Sequence, residues 1–169
     1  MPSAADALVI GVIAAGVGGA AAIDVASRRI PNAMAALTGG AGVLMAATGA
    51  SGITVWSSLL GFVIGLALML PGHLFGATGA GDVKLFAAAG AVLGAARTVE
   101  AFVFVAIAGG VLALAIACAR GRLARTVTQT ARLIGRQKDA RAAIESPAEN
   151  NRFPYGPAIA VGCVLAAWV

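Results

Sequence analysis

Between Arg29 and Asp82 the chain carries no Asp, Glu, Lys or Arg. No water-facing domain tolerates such a run, because it leaves too few polar side chains to cover a surface. The rest of the chain continues the pattern, with 11% charged and 60% hydrophobic residues and a mean hydropathy of +0.93, where globular domains carry roughly 25% charged residues. Intrinsic disorder is excluded on the same grounds, since it requires low hydrophobicity and high net charge.

A helix crossing a hydrocarbon core of about 30 Å needs roughly 20 mainly apolar residues. The uncharged run is too long for one crossing and divides at Thr48-Gly49-Ala50-Ser51-Gly52. Together with the other apolar stretches it predicts an all-α polytopic membrane protein, a single integral membrane domain over residues 1–169. About six transmembrane helices are expected, near 6–23, 33–50, 53–71, 83–98, 100–119 and 153–169. The fourth is the least regular, because Lys84 and Arg97 flank its apolar centre and must snorkel or sit in water-accessible protein. Gly61-x-x-x-Gly65 and Gly90-x-x-x-Gly94 mark close helix contacts.

The pI of about 10.3 does not point to nucleic acid, because of where the charge lies. Residues 120–152 hold Arg120, Arg122, Arg125, Arg132, Arg136, Lys138, Arg141 and Arg152 against Asp139, Glu145 and Glu149. That segment accounts for the whole net charge of +5. An N-terminus outside the cytoplasm puts every basic residue except Arg97 on the inner side, as the positive-inside rule requires. Within the basic loop, Leu123, Val127, Ala131 and Ile134 recur at helical spacing, which predicts an amphipathic helix lying on anionic inner-leaflet lipid. The first span is not a cleaved signal, since Asp6 precedes it and Arg28-Arg29 follow, the reverse of a signal peptide's charge order. Cys118 and Cys163 lie in apolar spans without a CxxC or Cys/His cluster; they read as small buried hydrophobes, with no zinc site and no cofactor motif.

In so apolar a chain each acid near the membrane calls for a reason, and two stand out. Asp24 closes the first helix and Asp82 opens the fourth after Gly79-Ala80-Gly81. Each has an ordinary explanation: Asp24 stands four residues before Arg28, a helical ion pair, and Asp82 has the position of an N-cap. In the topology above, however, both lie at the cytoplasmic edge. Two carboxylates on one membrane face beside a glycine turn are what general acid/base hydrolysis requires. Close carboxylates cannot both ionise, so they share a proton. The ionised one takes a proton from attacking water while the protonated one serves the carbonyl oxygen. Gly79 and Gly81, without Cβ atoms, permit a tight turn and close approach of a substrate backbone.

Gly79-Ala80-Gly81-Asp82 matches the GxGD motif of membrane aspartic proteases, and Gly79 to Leu85 resembles the version in type IV prepilin peptidases. Asp24 with Arg28-x-Ile30-Pro31-Asn32 resembles that family's first catalytic segment, and Phe153-Pro154-Tyr155-Gly156-Pro157-Ala158 the start of its last helix. The resemblance spans nearly the whole chain. It implies a bacterial or other prokaryotic cytoplasmic-membrane protease that removes the basic leader from type IV prepilins or pseudopilins after a glycine, at the cytoplasmic face. It further implies Asp24 and Asp82 as the catalytic pair. Lys84 is implied as a residue that holds a substrate acid or tunes Asp82, beside its plainer reading as a snorkelling lysine. Asn32 either orders its loop or caps the second helix. Larger members carry two CxxC pairs after the first acid and also N-methylate the product. Here that segment is about nine residues without Cys, so zinc has no ligands and the basis for methylation is missing. The short form is similar to the Flp/Tad-type peptidases, while archaeal preflagellin peptidases share the core chemistry.

The competing reading is a small transporter or channel with intramembrane acids. Such a path needs polar groups near the midplane, whereas both key acids sit at one edge. A scaffold recruiting partners through the basic loop leaves the two Asp segments without a role. Lys84 lacks the preceding Gly and following Ser/Thr of a P-loop. His73, the sole histidine, sits beside Pro71-Gly72 and has no partners for a triad or metal site.

Overall fold

The computed structural model describes residues 3–27, 29–75, 78–119 and 155–169. Among them every regular element is helical, and the protein is an all-α, multi-pass membrane protein. The basic segment 120–152 with its expected amphipathic helix lies outside the described residues, as do Arg28 and hence the Asp24–Arg28 pair.

Local chemistry explains where each helix begins and ends. Helix α1 (Ala4–Ser27) starts at a capping box: the Ser3 hydroxyl accepts the Asp6 N–H, and the Asp6 carboxylate accepts the Ser3 N–H. A π-helical turn at Ala14–Gly18 interrupts it. Helix α2 (Asn32–Ala47) follows Pro31. The turn after it uses Gly49 (φ 74°) and Gly52 (φ 68°), left-handed positions that glycine occupies without a side-chain clash. Helix α3 (Val55–Leu74) is capped by the Thr54 hydroxyl, which accepts the Ser57 N–H. Helices α4 (Ala80–Leu93), α5 (Ala95–Ala119) and α6 (Gly156–Trp168, with a proline in its first turn) complete the set.

The expected boundary between the fourth and fifth helices, at 98–100, is wrong. The break falls at Gly94, whose φ of 80° ends α4, and a Cβ there would lie 2.9 Å from the Ser57 hydroxyl. Gly94 therefore ends the helix and also packs as the motif predicts, since a Cβ on Gly61 of the facing helix would come 2.8 Å from the Gly94 carbonyl carbon. Arg97 moves into the first turn of α5, where it pairs with Asp6 at 3.4 Å.

Met1–Gly109 and Pro154–Val169 form one compact unit; Gly110–Phe153 form a second, of which the last part of α5 is described. In the first, α4 is the central element, buried from Leu85 to Leu93 and packed chiefly against α3 and α2, while α1 packs along α6. Small residues make this possible. A Cβ on Gly61 of α3 would overlap the Gly90 carbonyl of α4, one on Gly65 would lie 3.1 Å from the Ala87 Cα, and one on Gly42 of α2 would lie 2.7 Å from the Ala91 backbone. Phe86 of α4 meets Phe102 of α5 edge to face, centroids 6.1 Å apart.

Three helices are long and apolar enough to cross a membrane, Ala4–Ser27, Val55–Leu74 and Ala95–Ile116; α2 and α6 are shorter apolar helices. Helix α4, about 21 Å long at 1.5 Å per residue, falls short of the roughly 30 Å core. It is surrounded by protein, so its short length leaves no backbone end against lipid. Large apolar side chains such as Leu37, Val63 and Ile107 point outward instead, as lipid-facing surfaces require. Cys163 is buried as expected, but Cys118 is exposed on α5.

Candidate active site

Two carboxylates are buried at the same end of the helical unit: Asp24, one turn before the end of α1, is 7% exposed and Asp82, in the first turn of α4, is 8% exposed. Buried acids need partners, and each finds a glycine N–H at a helix N-terminus. The Gly79 N–H donates to Asp82 Oδ2 at 2.9 Å. The Gly156 N–H donates to Asp24 Oδ2 at 3.2 Å. Helix N-termini carry partial positive charge from unsatisfied N–H groups, so α4 and α6 each aim their favourable end at one carboxylate. Asp82 is three residues past the Gly79 cap, which corrects the expectation that it is itself the N-cap. The α1–α2 connection links the two segments, since Ile30, six residues after Asp24, packs where a Cβ on Gly81 beside Asp82 would project.

The glycines are held to their identity by space. A Cβ on Gly79 would come 3.0 Å from Asp82 Oδ2, and one on Gly81 would come 3.1 Å from the Ile30 Cβ in the α1–α2 connection. A Cβ on Gly156 would sit 3.0 Å from Asp24 Oδ2 and 3.1 Å from the Ala21 Cα. The close approach of α6 to α1 thus depends on Gly156.

Lys84 and Asn32 are brought together: the lysine ammonium donates to Asn32 Oδ1 at 3.1 Å, tying the exposed side of α4 to the start of α2. The cap of α2 is Pro31, without a side-chain bond, so Asn32 serves the contact with Lys84 and does not cap the helix. His73, in the last turn of α3, places Nδ1 3.1 Å from the Thr78 carbonyl just before Gly79. It belongs to the support of that turn.

Two neighbours were not singled out as site residues from the sequence. Gly156 is 132 positions from Asp24, and no local pattern links them. Tyr155, at the cap of α6, packs its ring on Gly109, where a Cβ would meet the phenol ring at 2.7 Å. Their only signal was the resemblance of 153–158 to a family's last-helix segment.

The family model described as the type IV leader peptidase family matches residues 8–114, a stretch that includes both acids and both glycines of the GxGD turn. Searches of curated proteins and of solved structures gave no match.

Proposed function

Because the chain belongs to the type IV leader peptidase family, we propose that it is an aspartic endopeptidase whose catalytic pair is Asp24 and Asp82, and that it removes the leader from Flp-type prepilins or pseudopilins at the cytoplasmic face. The observation that carries this reading is the presence of two buried carboxylates at one end of the helical unit, each bound by a glycine N–H at a helix N-terminus.

Two like charges so placed favour a state with one proton between them. The ionised carboxylate draws a proton from water as its oxygen bonds to the scissile carbonyl carbon, and the protonated carboxyl donates to the oxygen that gains charge. Collapse of the tetrahedral species breaks the C–N bond, and a proton passes to the leaving amine. The products are a leader ending in a new carboxylate and a mature chain beginning with a new amine.

Gly79 and Gly81 serve the turn that presents Asp82, and their open backbone suits an extended substrate. Lys84 and Asn32 act as a positioning pair at the rim. The substrate is an apolar helix preceded by a basic leader, and the basic 120–152 segment rests on anionic inner-leaflet lipid. The short connection between Asp24 and the second helix carries no cysteines, which supports a peptidase without the methyltransferase activity. The test is the purified protein in lipid with a full-length Flp-type pilin precursor. Mass spectrometry of the product is expected to give a single new N-terminus immediately after the leader glycine, unmethylated with S-adenosylmethionine present. Cleavage at scattered sites would contradict a leader peptidase of this kind, and a product heavier by one methyl group would contradict the loss of methylation.

A further inference from the structure

The residue before the GxGD turn is held by the end of α3 at both of its backbone polar groups. The Thr78 N–H donates to the Gly72 carbonyl at 3.2 Å, and the Thr78 carbonyl lies 3.1 Å from His73 Nδ1. A carbonyl oxygen only accepts, so Nδ1 carries a proton and donates. Gly72 and His73 are consecutive residues in the last turn of α3. Gly72 admits Thr78 closely, since a Cβ there would come 3.2 Å from the Thr78 hydroxyl oxygen. That hydroxyl has no hydrogen-bond partner among the described residues, so the polar part of the contact is carried by the two backbone bonds.

The Thr78 carbonyl and the Gly79 N–H are two ends of one peptide group. A trans peptide is planar, with these two bonds pointing to opposite sides, and this one is trans. On one side it accepts the His73 N–H; on the other its own N–H donates to Asp82 Oδ2 at 2.9 Å. Rotating the plane would withdraw that N–H from Asp82 with α4 still in place, and the His73 bond resists the rotation. Donation to the carbonyl also polarises the amide and strengthens its N–H as a donor. Asp82 is buried, while His73 is exposed. The imidazole therefore acts on the acid through the peptide.

We infer that His73 is a positioning residue for Asp82: its Nδ1–H fixes the Thr78–Gly79 peptide, and that peptide holds the carboxylate in the orientation hydrolysis requires. The inference rests on the proposed role of Asp82 and adds a residue that the GxGD turn does not contain. In this role the ring exchanges no proton with substrate; it supplies one N–H at a fixed place.

Leader removal by the full chain in lipid tests it, with the precursor titrated so that kcat and KM separate. His73→Leu keeps bulk and removes the donor; kcat is expected to fall about tenfold or more, as for a small displacement of a reacting group, with KM little changed. His73→Asn places an amide N–H near the position of Nδ1 and is expected to recover most of that loss. His73→Gln, whose amide falls near the position of Nε2, is not. In His73→Ala at alkaline pH, added imidazole is expected to restore kcat, whereas 1-methylimidazole, which has no N–H when neutral, is not. A role in packing alone would lower the thermal midpoint without telling these pairs apart. An unchanged kcat in His73→Leu, a loss confined to KM, or equal recovery by His73→Asn and His73→Gln would overturn the inference, as would imidazole restoring activity no better than 1-methylimidazole. If the unaltered chain leaves the precursor whole, the peptidase reading falls and this inference with it; cleavage that is indifferent to His73→Leu overturns this inference alone.

Discussion

At the scale of single residues the account turns on two glycine N–H groups that present helix ends to two acids. Gly156→Ala puts a methyl group at 3.0 Å from Asp24 Oδ2 and 3.1 Å from the α1 backbone, so α6 or the carboxylate must move. A displacement near 1 Å at a reacting group costs roughly tenfold to a hundredfold in rate. Cleavage kinetics are expected to fall in that range, while Gly40→Ala, where nothing lies within 4 Å, is expected to keep full activity. Asp24, Asp82, Gly79 and Gly81 stood out in the sequence because charges are scarce and the motif is local, and Lys84 and Asn32 entered through the family resemblance; the structure buries the two acids and joins Lys84 to Asn32. Gly156 did not stand out, because its bond to Asp24 spans nearly the whole chain and a glycine before a proline reads only as a helix start.

At the scale of elements, α4 organises the site by being small on every face that meets α2 and α3. The sequence spacing of Gly61 and Gly65 identified this contact, and the structure pairs it with Gly90 and Ala87. Gly61→Ala forces a methyl group into the Gly90 carbonyl, an overpacking of about 1–3 kcal/mol. Thermal unfolding in detergent is expected to shift to lower temperature by several degrees, together with a loss of activity, since the start of α4 carries Asp82. An unchanged midpoint would mean that the two helices do not meet there. Gly94 shows the limit of such reading. In an apolar run, a glycine that only packs and one that also ends a helix look identical; at Gly94 the difference is its φ of 80°, with Ser57 of α3 and Ile53 of the α2–α3 connection crowding the place where a side chain would project. For that reason the fourth and fifth helices were divided too late and Arg97 was put at the end of one instead of the start of the next.

At the scale of the whole molecule, apolarity alone carried the fold class. The outward-facing Leu, Val and Ile side chains and the protein-enclosed α4 are its structural counterpart. The crossing lengths were less legible: a uniform 20-residue rule holds for α1, α3 and α5, but not for helices whose neighbours replace lipid. Orientation rests on the basic residues. In the Cys118→Ser background, which removes the exposed native thiol, a cysteine at Gln137→Cys is expected to react with a membrane-impermeant maleimide only in inverted vesicles. Labelling in right-side-out vesicles would reverse the proposed topology and move the acids to the other face. The central claim is more direct than the topology. With protein in lipid and a saturating pilin precursor, Asp24→Asn and Asp82→Asn are each expected to reduce leader removal by at least about 10³-fold, in line with loss of a general acid or base and its partner, while helicity and membrane insertion remain those of the unaltered chain. Normal processing by either folded variant would contradict the carboxylate pair as the catalytic centre.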